Sequence, residues 1–181
     1  MSIPGYYLGI DPSATCTGVS IISTNNSAEV MTITPGSLRD CKRLEFISNS
    51  LLEFIADKKI LMCCIETPAY GAVHKEFILG EVLGAIKLTL AKQLKCSVIG
   101  VAPTQVKKFM AGTGKADKSL VSECAVKDGC PDSQNDITDS WALARVAQSL
   151  YSGISWVQKR ASVEVISELS KKNSIELNYT K

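Results

Sequence analysis

The segment YYLGIDPSATCTGVSIIS, residues 6–23, is the part of the chain from which the fold class follows. Its first part, residues 6–10, is apolar and runs into Asp11 and Pro12, which is typical of a strand that ends in a turn. Residues 18–23 are a second apolar stretch, and the short loop before them favours an antiparallel hairpin. The segment therefore predicts two paired strands, the first of which ends on an aspartate.

Strand and helix patterns follow in turn after this hairpin. Residues 29–34 alternate as a third strand, closed by Pro35 and Gly36. Apolar residues at helical spacing predict a helix over residues 39–59, and residues 60–65, ILMCCI, are a continuous apolar run. Such a run is typical of a central strand that is covered on both faces, so we place the fourth strand in the interior of the sheet.

The second half of the chain adds one more strand and three helices. Leucine and isoleucine spacing predicts a helix over residues 74–94, and residues 98–101 form a short fifth strand. A polar, glycine-containing stretch separates this strand from two helices over residues 120–127 and 135–151. This order predicts an α/β fold, with a five-stranded mixed sheet of three antiparallel and then parallel strands and with helices on both faces.

The composition sets the class of protein. Hydrophobic residues make up 45% of the 181 residues, enough for one domain with a substantial core. We expect this domain over residues 1–153 and a peripheral, helical C-terminal segment over residues 154–181. No membrane partner is expected, because no apolar run approaches a membrane span and no signal-peptide pattern is apparent. Seven cysteines without a C-x-x-C pair, beside a single histidine, argue against a zinc site and predict reduced thiols in the cytoplasm.

Four carboxylates stand where strands or a helix would direct them inward. Asp11 ends the first strand and Glu66 ends the central strand, while Asp136 and Asp139 are neighbours on one face of the last helix. If the first and fourth strands are adjacent, Asp11 and Glu66 meet at one edge of the sheet, and the helix can lay its two acids over them. Taken singly, each acid has an ordinary structural explanation, such as a turn, a solvated strand end or a first-turn acid favoured by the helix dipole.

Taken together, the four acids predict a divalent-cation site. Clustered anions repel one another, and a buried charge is costly unless something pairs with it. Ligand sets made only of oxygen favour Mg²⁺ or Mn²⁺, and two such ions about 4 Å apart can activate a water and stabilise the leaving oxygen of a phosphodiester. We therefore expect the four acids to hold two Mg²⁺ ions, for which Mn²⁺ can substitute, and to be the catalytic residues of a nuclease.

Four segments of the chain resemble the RuvC-type Holliday junction resolvases, a family of the RNase H-like superfamily. The segments are GIDPSATCTGVSI, CCIETPAYG, PTQVKKFMAGTGKADKS and NDITDSWALA, and together they span about residues 6–150. The resemblance implies an RNase H-like fold and a homodimer that resolves four-way DNA junctions by paired, symmetric, Mg²⁺-dependent nicks in DNA recombination and repair. The compact chain would suit a bacteriophage member, which would act in the host cytoplasm.

The resemblance also assigns roles to single residues. The family's catalytic acids match Asp11, Glu66, Asp136 and Asp139. Its basic DNA contacts match Lys107 and Lys118, to which Lys108 and Lys115 are added on charge alone. The family's aromatic residue that stacks on a junction base matches Tyr70, for which packing beside the neighbouring proline is the alternative. Gly80 and Gly84 lie on the helix that helps form the family's dimer, although close packing on the protein's own sheet would explain them equally well.

Other functions stay open from the sequence. An RNase H-fold nuclease with broader specificity for branched DNA, flaps or RNA–DNA hybrids would have the same acids. An actin-like or sugar-kinase-type ATP-binding protein shares the core but needs a second lobe, for which the chain length leaves little room. GTGKADKS lacks the first glycine and the Ser or Thr of a phosphate loop, so no nucleotide cofactor is expected. A non-catalytic junction-binding protein would not need to keep four buried acids.

Overall fold

The structure, a computed structural model, describes residues 4–68, 76–153 and 159–175. These residues form five strands: β1 (Gly5–Asp11), β2 (Thr17–Ser23), β3 (Ala28–Ile33), β4 (Lys59–Glu66) and β5 (Val98–Val101). β2 pairs antiparallel with both β1 and β3, and β4 pairs parallel with both β1 and β5. The sheet order β3-β2-β1-β4-β5 confirms the mixed sheet and the adjacency of the first and fourth strands.

Six helices are described: α1 (Asp40–Ile55), α2 (Glu76–Gln93), α3 (Pro103–Ala111), α4 (Lys118–Lys127), α5 (Asn135–Ser152) and α6 (Arg160–Asn173). α1 and α2 cover one face of the sheet, whereas α3 to α6 build the core on the other face. Adjacent residues of β4 serve opposite cores, Cys63 toward α1 and α2 and Cys64 toward α5. This two-sided burial explains why β4 reads as an unbroken apolar run. None of the described helices is both long and apolar enough to cross a bilayer.

Helix α3 is an element that the sequence analysis missed. It begins with Pro103 at its first position and ends at Ala111, and it is followed by Gly112, whose φ of +86° is the left-handed conformation that favours glycine. Val106, Phe109 and Met110 are buried at helical spacing. The helix was missed because its nine residues are bordered by a polar loop and carry only these three buried apolar positions.

Helix α6 is packed more deeply than the sequence analysis expected for a peripheral segment. Val165 and Leu169 are completely buried in the core shared with α3 and α5. The Ser162 hydroxyl donates to the carbonyl oxygen of Phe109 at 2.7 Å. The helix spans residues 160–173, and one of its faces closes the core over α3.

Helix α1 ends four residues earlier than its sequence pattern predicted. Lys59 is the first residue of β4, and Lys58 lies in the turn before it. The Lys58 ammonium donates to the carbonyl oxygen of Phe54 at 2.8 Å, so this lysine does complement the C-terminal end of α1.

Two glycines let α5 lie directly on the hairpin of β1 and β2. A Cβ atom on Gly9 would stand 2.1 Å from the carbonyl oxygen of Ser140, and one on Gly18 would stand 1.9 Å from that of Asp136. Both contacts are with backbone, so a side chain at either position would push the helix away from the strands. Nearby, the buried hydroxyls of Ser20 and Ser140 are 2.7 Å apart and hydrogen-bond across the same contact. The first turns of α5 are thereby held against the hairpin.

Candidate active site

Two of the four acids stand at the ends of neighbouring parallel strands. Asp11 is the last residue of β1 and Glu66 is the last residue of β4. The pairing of Ile10 with Ile65 brings both strand ends to the same edge of the sheet. The Thr67 amide donates to the carbonyl oxygen of Val101 at 2.9 Å, so the backbone that carries Glu66 is still held by β5 beyond the strand end.

The other two acids come from the first turns of α5. Asp136 and Asp139 are partly exposed, whereas Ile137 and Ser140 on the same turns are buried against the sheet. The close approach of α5 to Gly18 sets Asp136 beside the start of β2, which pairs with Asp11. The sheet and the helix thus contribute two acids each to one region of the protein.

Electrostatic coupling connects Asp11 to all three other acids. Burial raises the pKa of Asp11 to about 8, and the negative charges of Glu66, Asp139 and Asp136 contribute to the rise in that order. Coulombic effects of this kind weaken with distance, so the four carboxyl groups lie in one region of the protein.

The same causes act on two other members of the cluster. Burial, followed by the charge of Asp139, raises the pKa of Glu66 to about 7. Burial also raises the pKa of Asp139, and Asp136 adds to the effect. The pKa values of Asp11, Glu66 and Asp139 are therefore all raised, and a positive charge placed among these carboxyl groups would lower them again.

Two lysines already supply positive charge to the cluster. Lys107 of α3 lowers the pKa of Glu66 and Asp139, and Lys118 of α4 lowers that of both and of Asp11. Asp117 caps α4 by accepting the Leu120 amide hydrogen at 2.8 Å, which sets Lys118 in the first helical turn. These are the two lysines that the family resemblance selected as DNA contacts.

Lys108 and Lys115, the two lysines that were added on charge alone, are not electrostatically coupled to the acids in the way that Lys107 and Lys118 are. The Lys108 ammonium stands 2.9 Å from a carboxylate oxygen of Glu164 on α6, so this residue ties α3 to α6. Lys115 is exposed in the loop between α3 and α4. Neither lysine contributes to the pKa shifts of the acids. Tyr70, the candidate for base stacking, lies outside the described residues.

The donor chemistry of the cluster suits a hard divalent cation, although no closed ligand geometry is present. Among residues 4–68, 76–153 and 159–175, no three Asp, Glu, Cys or His side chains are arranged closely enough to hold a metal ion. The four acids nevertheless offer oxygen ligands only, and their mutual repulsion favours a cation among them. The fit therefore rests on the donor set and the electrostatic coupling.

Cys16 is a further neighbour of the acids that the sequence analysis did not single out. Its thiol accepts a hydrogen bond from the Thr34 hydroxyl at 3.8 Å. Burial raises the pKa of this thiol, and Asp136 raises it further. No spacing rule relates a loop cysteine to an acid on a distant helix, so the sequence contains no signal for this contact.

Comparisons with known proteins agree on one family. The family model "Crossover junction endodeoxyribonuclease RuvC" matches residues 7–145. A protein of that name from Chloroherpeton thalassium is 31% identical over 146 residues, which cover 76% of this chain and 78% of that protein. Another, from Prochlorococcus marinus, is 27% identical over 148 residues, which cover 76% of this chain and 94% of that protein. The fold is similar to that of T. thermophilus RuvC in complex with Holliday junction substrate, with a TM-score of 0.67 at 20% identity over 80% of this chain and 94% of that one.

Proposed function

The chain belongs to the crossover junction endodeoxyribonuclease RuvC family, and from this premise we propose that it resolves four-way DNA junctions by hydrolysing phosphodiester bonds beside Asp11. The observation that carries the proposal is the coupling of the Asp11 carboxyl group to Glu66, Asp136 and Asp139. The mutual repulsion of four acids has no use in a purely structural sheet edge, whereas a metal-dependent nuclease requires such a cluster.

In this proposal the four acids are both the metal ligands and the catalytic residues. The family is metal-dependent, and we assign two Mg²⁺ ions, for which Mn²⁺ can substitute, to Asp11, Glu66, Asp136 and Asp139. When bound, such ions supply Lewis acidity that activates water and stabilises the leaving oxygen. The chain's own part is to keep the carboxyl groups of β1 and β4 on a rigid sheet edge and to hold those of α5 over them.

The substrate strand is proposed to pass between the acids and the lysines of α3 and α4. Lys107 and Lys118 act electrostatically on the acids, so a phosphate near the acids would also lie within their reach. Lys115, in the exposed loop between these helices, is proposed to contact the backbone further along. Lys108 can contact DNA only by giving up or sharing its ion pair with Glu164, so we expect its contribution to be the smallest. Stacking of Tyr70 on a junction base stays part of the proposal through the family resemblance.

A homodimer built on α2 completes the proposal. Phe77 is 81% exposed and Leu88 is 58% exposed, and these large apolar side chains lie on one helix with Gly80 and Gly84. Nothing in the described part of the chain lies within 4 Å of a Cβ atom placed on either glycine. These glycines therefore do not serve close packing on the protein's own sheet, and a second copy of α2 could approach them. Two sites related by a two-fold axis would suit paired cuts across a near-symmetric junction.

The proposal also includes a cytoplasmic location, because the cysteines of the described residues are free thiols, which are typical of a reducing compartment.

The proposal is tested by comparing substrates in one cleavage assay. A mobile four-way junction, a three-way junction, a flap and an RNA–DNA hybrid are incubated with the protein in Mg²⁺ and in EDTA. We expect paired nicks in opposed strands of the four-way junction, in Mg²⁺ only. Equal cleavage of the flap or the hybrid would support the broader nuclease instead, and cleavage in EDTA would contradict the metal site.

A further inference from the structure

A cavity of about 390 Å³ lies next to the end of β1 and is separate from the acid cluster. Its walls come from three elements: the loop after Asp11 (Pro12 to Thr15), the start of α1 (Arg39 and Arg43) and the start of α2 (Ile78 and Leu79). Because Pro12 directly follows Asp11, the cavity adjoins the proposed site of cleavage. We call it the Arg39–Arg43 cavity.

Arg43 is a buried residue of this cavity whose guanidinium group has no counter-ion among the described residues. It is only 8% exposed, and its Nε donates to the carbonyl oxygen of Leu38 at 3.1 Å. Among the ion pairs between described residues, none involves its guanidinium group. A buried positive charge without a counter-ion is costly, so an anion bound there would offset that cost.

The guanidinium group of Arg43 also remains accessible to such an anion. In the described residues, Ser149 Oγ is the one side-chain nitrogen or oxygen that is both sealed from solvent and without a hydrogen-bond partner. The terminal Nη groups of Arg43 are therefore not sealed, and Arg43 is one of the residues that line the cavity. A guanidinium fork of this kind matches two oxygens of a phosphate.

The rest of the cavity adds positive potential and hydroxyl groups. Arg39 is exposed at the N-cap of α1, and no side chain caps the amide groups of the first turn of that helix. Ser13 and Thr15, whose hydroxyls are 3.2 Å apart, also line the cavity. Asp40, which follows Arg39, is exposed and does not line the cavity. Anion recognition therefore does not depend on the helix end alone.

We propose that the Arg39–Arg43 cavity binds a backbone phosphate of the substrate strand, adjacent to the phosphate that is cleaved. The ligand's identity as DNA rests on the proposed function. A phosphodiester fits better than a free base, because two cationic side chains line the cavity while Ile78 and Leu79 offer apolar surface to a deoxyribose. Held there, the strand would be fixed in register with the acids.

The test asks whether neutralising one phosphate of the junction weakens binding less when one arginine of the cavity has already been replaced. Junctions are made with a neutral methylphosphonate at one position at a time around the mapped cleavage site, and their binding is measured in Ca²⁺ or EDTA, where no cleavage is required. In the wild-type protein, one position next to the cleaved phosphate should weaken binding on the order of tenfold. In Arg39→Gln and in Arg43→Lys, the same neutral phosphate should weaken binding much less, because its partner is already lost.

Two variants and a control separate the possible results. Arg39→Gln removes an exposed charge and should lower the salt dependence of binding by roughly one ion. Arg43→Lys keeps the positive charge but loses the guanidinium group that can donate to two phosphate oxygens. The melting temperature of this variant is measured first, because Arg43 is buried and its replacement could destabilise the fold. Arg160→Gln, on α6 across the sheet and 94% exposed, is the matched control and should leave the methylphosphonate pattern of the wild type unchanged. If the neutral phosphate weakens binding in both cavity variants by the same factor as in the wild type, at every position tested, the inference is overturned. If the wild-type protein does not bind the junction at all, the proposed function itself is overturned.

Discussion

Among single residues, the acids of the sheet edge are the ones whose environment departs most from that of an ordinary surface carboxylate. Burial and mutual repulsion raise the pKa of Asp11 to about 8 and that of Glu66 to about 7. A surface carboxylate ionises near pH 4, so these groups release their protons at a higher pH than an ordinary carboxylate does. Their chemistry and their effect on stability are therefore coupled, and both can be measured.

Removing one charge of the cluster should stop cleavage without stopping binding. Asp139→Asn keeps the side-chain shape but loses a metal-ligating charge, and Asp11→Asn and Glu66→Gln do the same on the strands. We expect cleavage of a four-way junction to fall by at least about a thousandfold and junction affinity in EDTA to stay equal or rise. Cleavage time courses and gel-shift titrations measure the two quantities. Asp132→Asn, an acid of the loop before α5 outside the cluster, is the control, and normal cleavage by Asp139→Asn would show that the site is wrongly assembled.

The raised pKa of Asp11 predicts how stability depends on pH. Since the folded state holds a proton that the unfolded state releases near pH 4, the free energy of unfolding should decrease as pH rises from about 4 through about 8. In EDTA, Asp11→Asn should remove much of this decrease and be more stable than the wild type at pH 9, by on the order of a few kcal/mol. Urea unfolding at a series of pH values measures the difference. Equal pH profiles for the two proteins would mean that Asp11 is not buried among like charges.

The lysines near the acids should affect DNA binding through their charge. Lys107→Ala and Lys118→Ala should each weaken junction binding and reduce the slope of log affinity against log salt by roughly one. Lys127→Ala is the control, since this lysine is 72% exposed and pairs with Glu123 within its own helix. Affinity at several salt concentrations gives the slope, and an unchanged slope would mean that the lysine does not contact phosphate.

Among the helices and strands, the contact of α5 with the hairpin positions the active site. Two acids reach the cluster only because Gly9 and Gly18 let the helix backbone lie against β1 and β2. The hydroxyl pair of Ser20 and Ser140 keeps the buried polar atoms at this contact hydrogen-bonded. An ion pair of Arg145 with Asp128, at 2.7 Å, joins α5 to the turn after α4. The position of Lys118 relative to the acids therefore depends on the same helix.

A side chain added under α5 should displace it. In Gly18→Ala the new methyl group would meet the backbone oxygen of Asp136 at 1.9 Å, which no side-chain rotation can relieve. We expect a loss of stability of about 1–3 kcal/mol or more, together with a loss of cleavage larger than the stability change explains. Gly100→Ala on β5 is the matched control, because its methyl group would meet only the movable Thr67 side chain, at 2.7 Å. Thermal unfolding and cleavage rates are compared, and equal effects at the two positions would contradict the role given to the close approach.

For the molecule as a whole, the exposed apolar face of α2 is the main feature that a single copy of the chain does not explain. Large apolar side chains exposed on one helix are typical of a surface that meets a partner. The proposed dimer would place this face between two copies and would set two acid clusters on opposite strands of a junction. The measured quantity at this level is therefore the number of chains per particle.

Charges on the α2 face should separate the subunits. Phe77→Glu combined with Leu88→Glu places carboxylates on the exposed apolar face, and desolvating them would oppose association. We expect the protein to change from dimer to monomer in sedimentation experiments and the paired nicks to become independent single nicks. Val163→Glu, on the exposed side of α6 and 49% exposed, is the control. A monomeric wild-type protein, or a dimeric double variant, would contradict the proposed interface.

Sequence patterns were sufficient for the hairpin of β1 and β2 and for the strand ends on which Asp11 and Glu66 stand. These features follow from the alternation of apolar and polar residues, from apolar runs and from helical spacing, all of which depend only on residues close together in the sequence. The adjacency of β1 and β4 was inferred as a condition for the site, and the sheet confirms it. The roles of the four acids as metal ligands stay a prediction.

Other features depend on how elements that are far apart in the sequence pack together, which local sequence patterns do not determine. The burial of α6, the tie between Lys108 and Glu164, the contact of Cys16 with Asp136 and the cavity around Arg43 each join residues far apart along the chain. Each depends on which face of a helix meets the sheet and at what distance. Two glycines without side chains set that distance for α5, and a glycine in a strand looks the same in the sequence whether or not a helix lies on it.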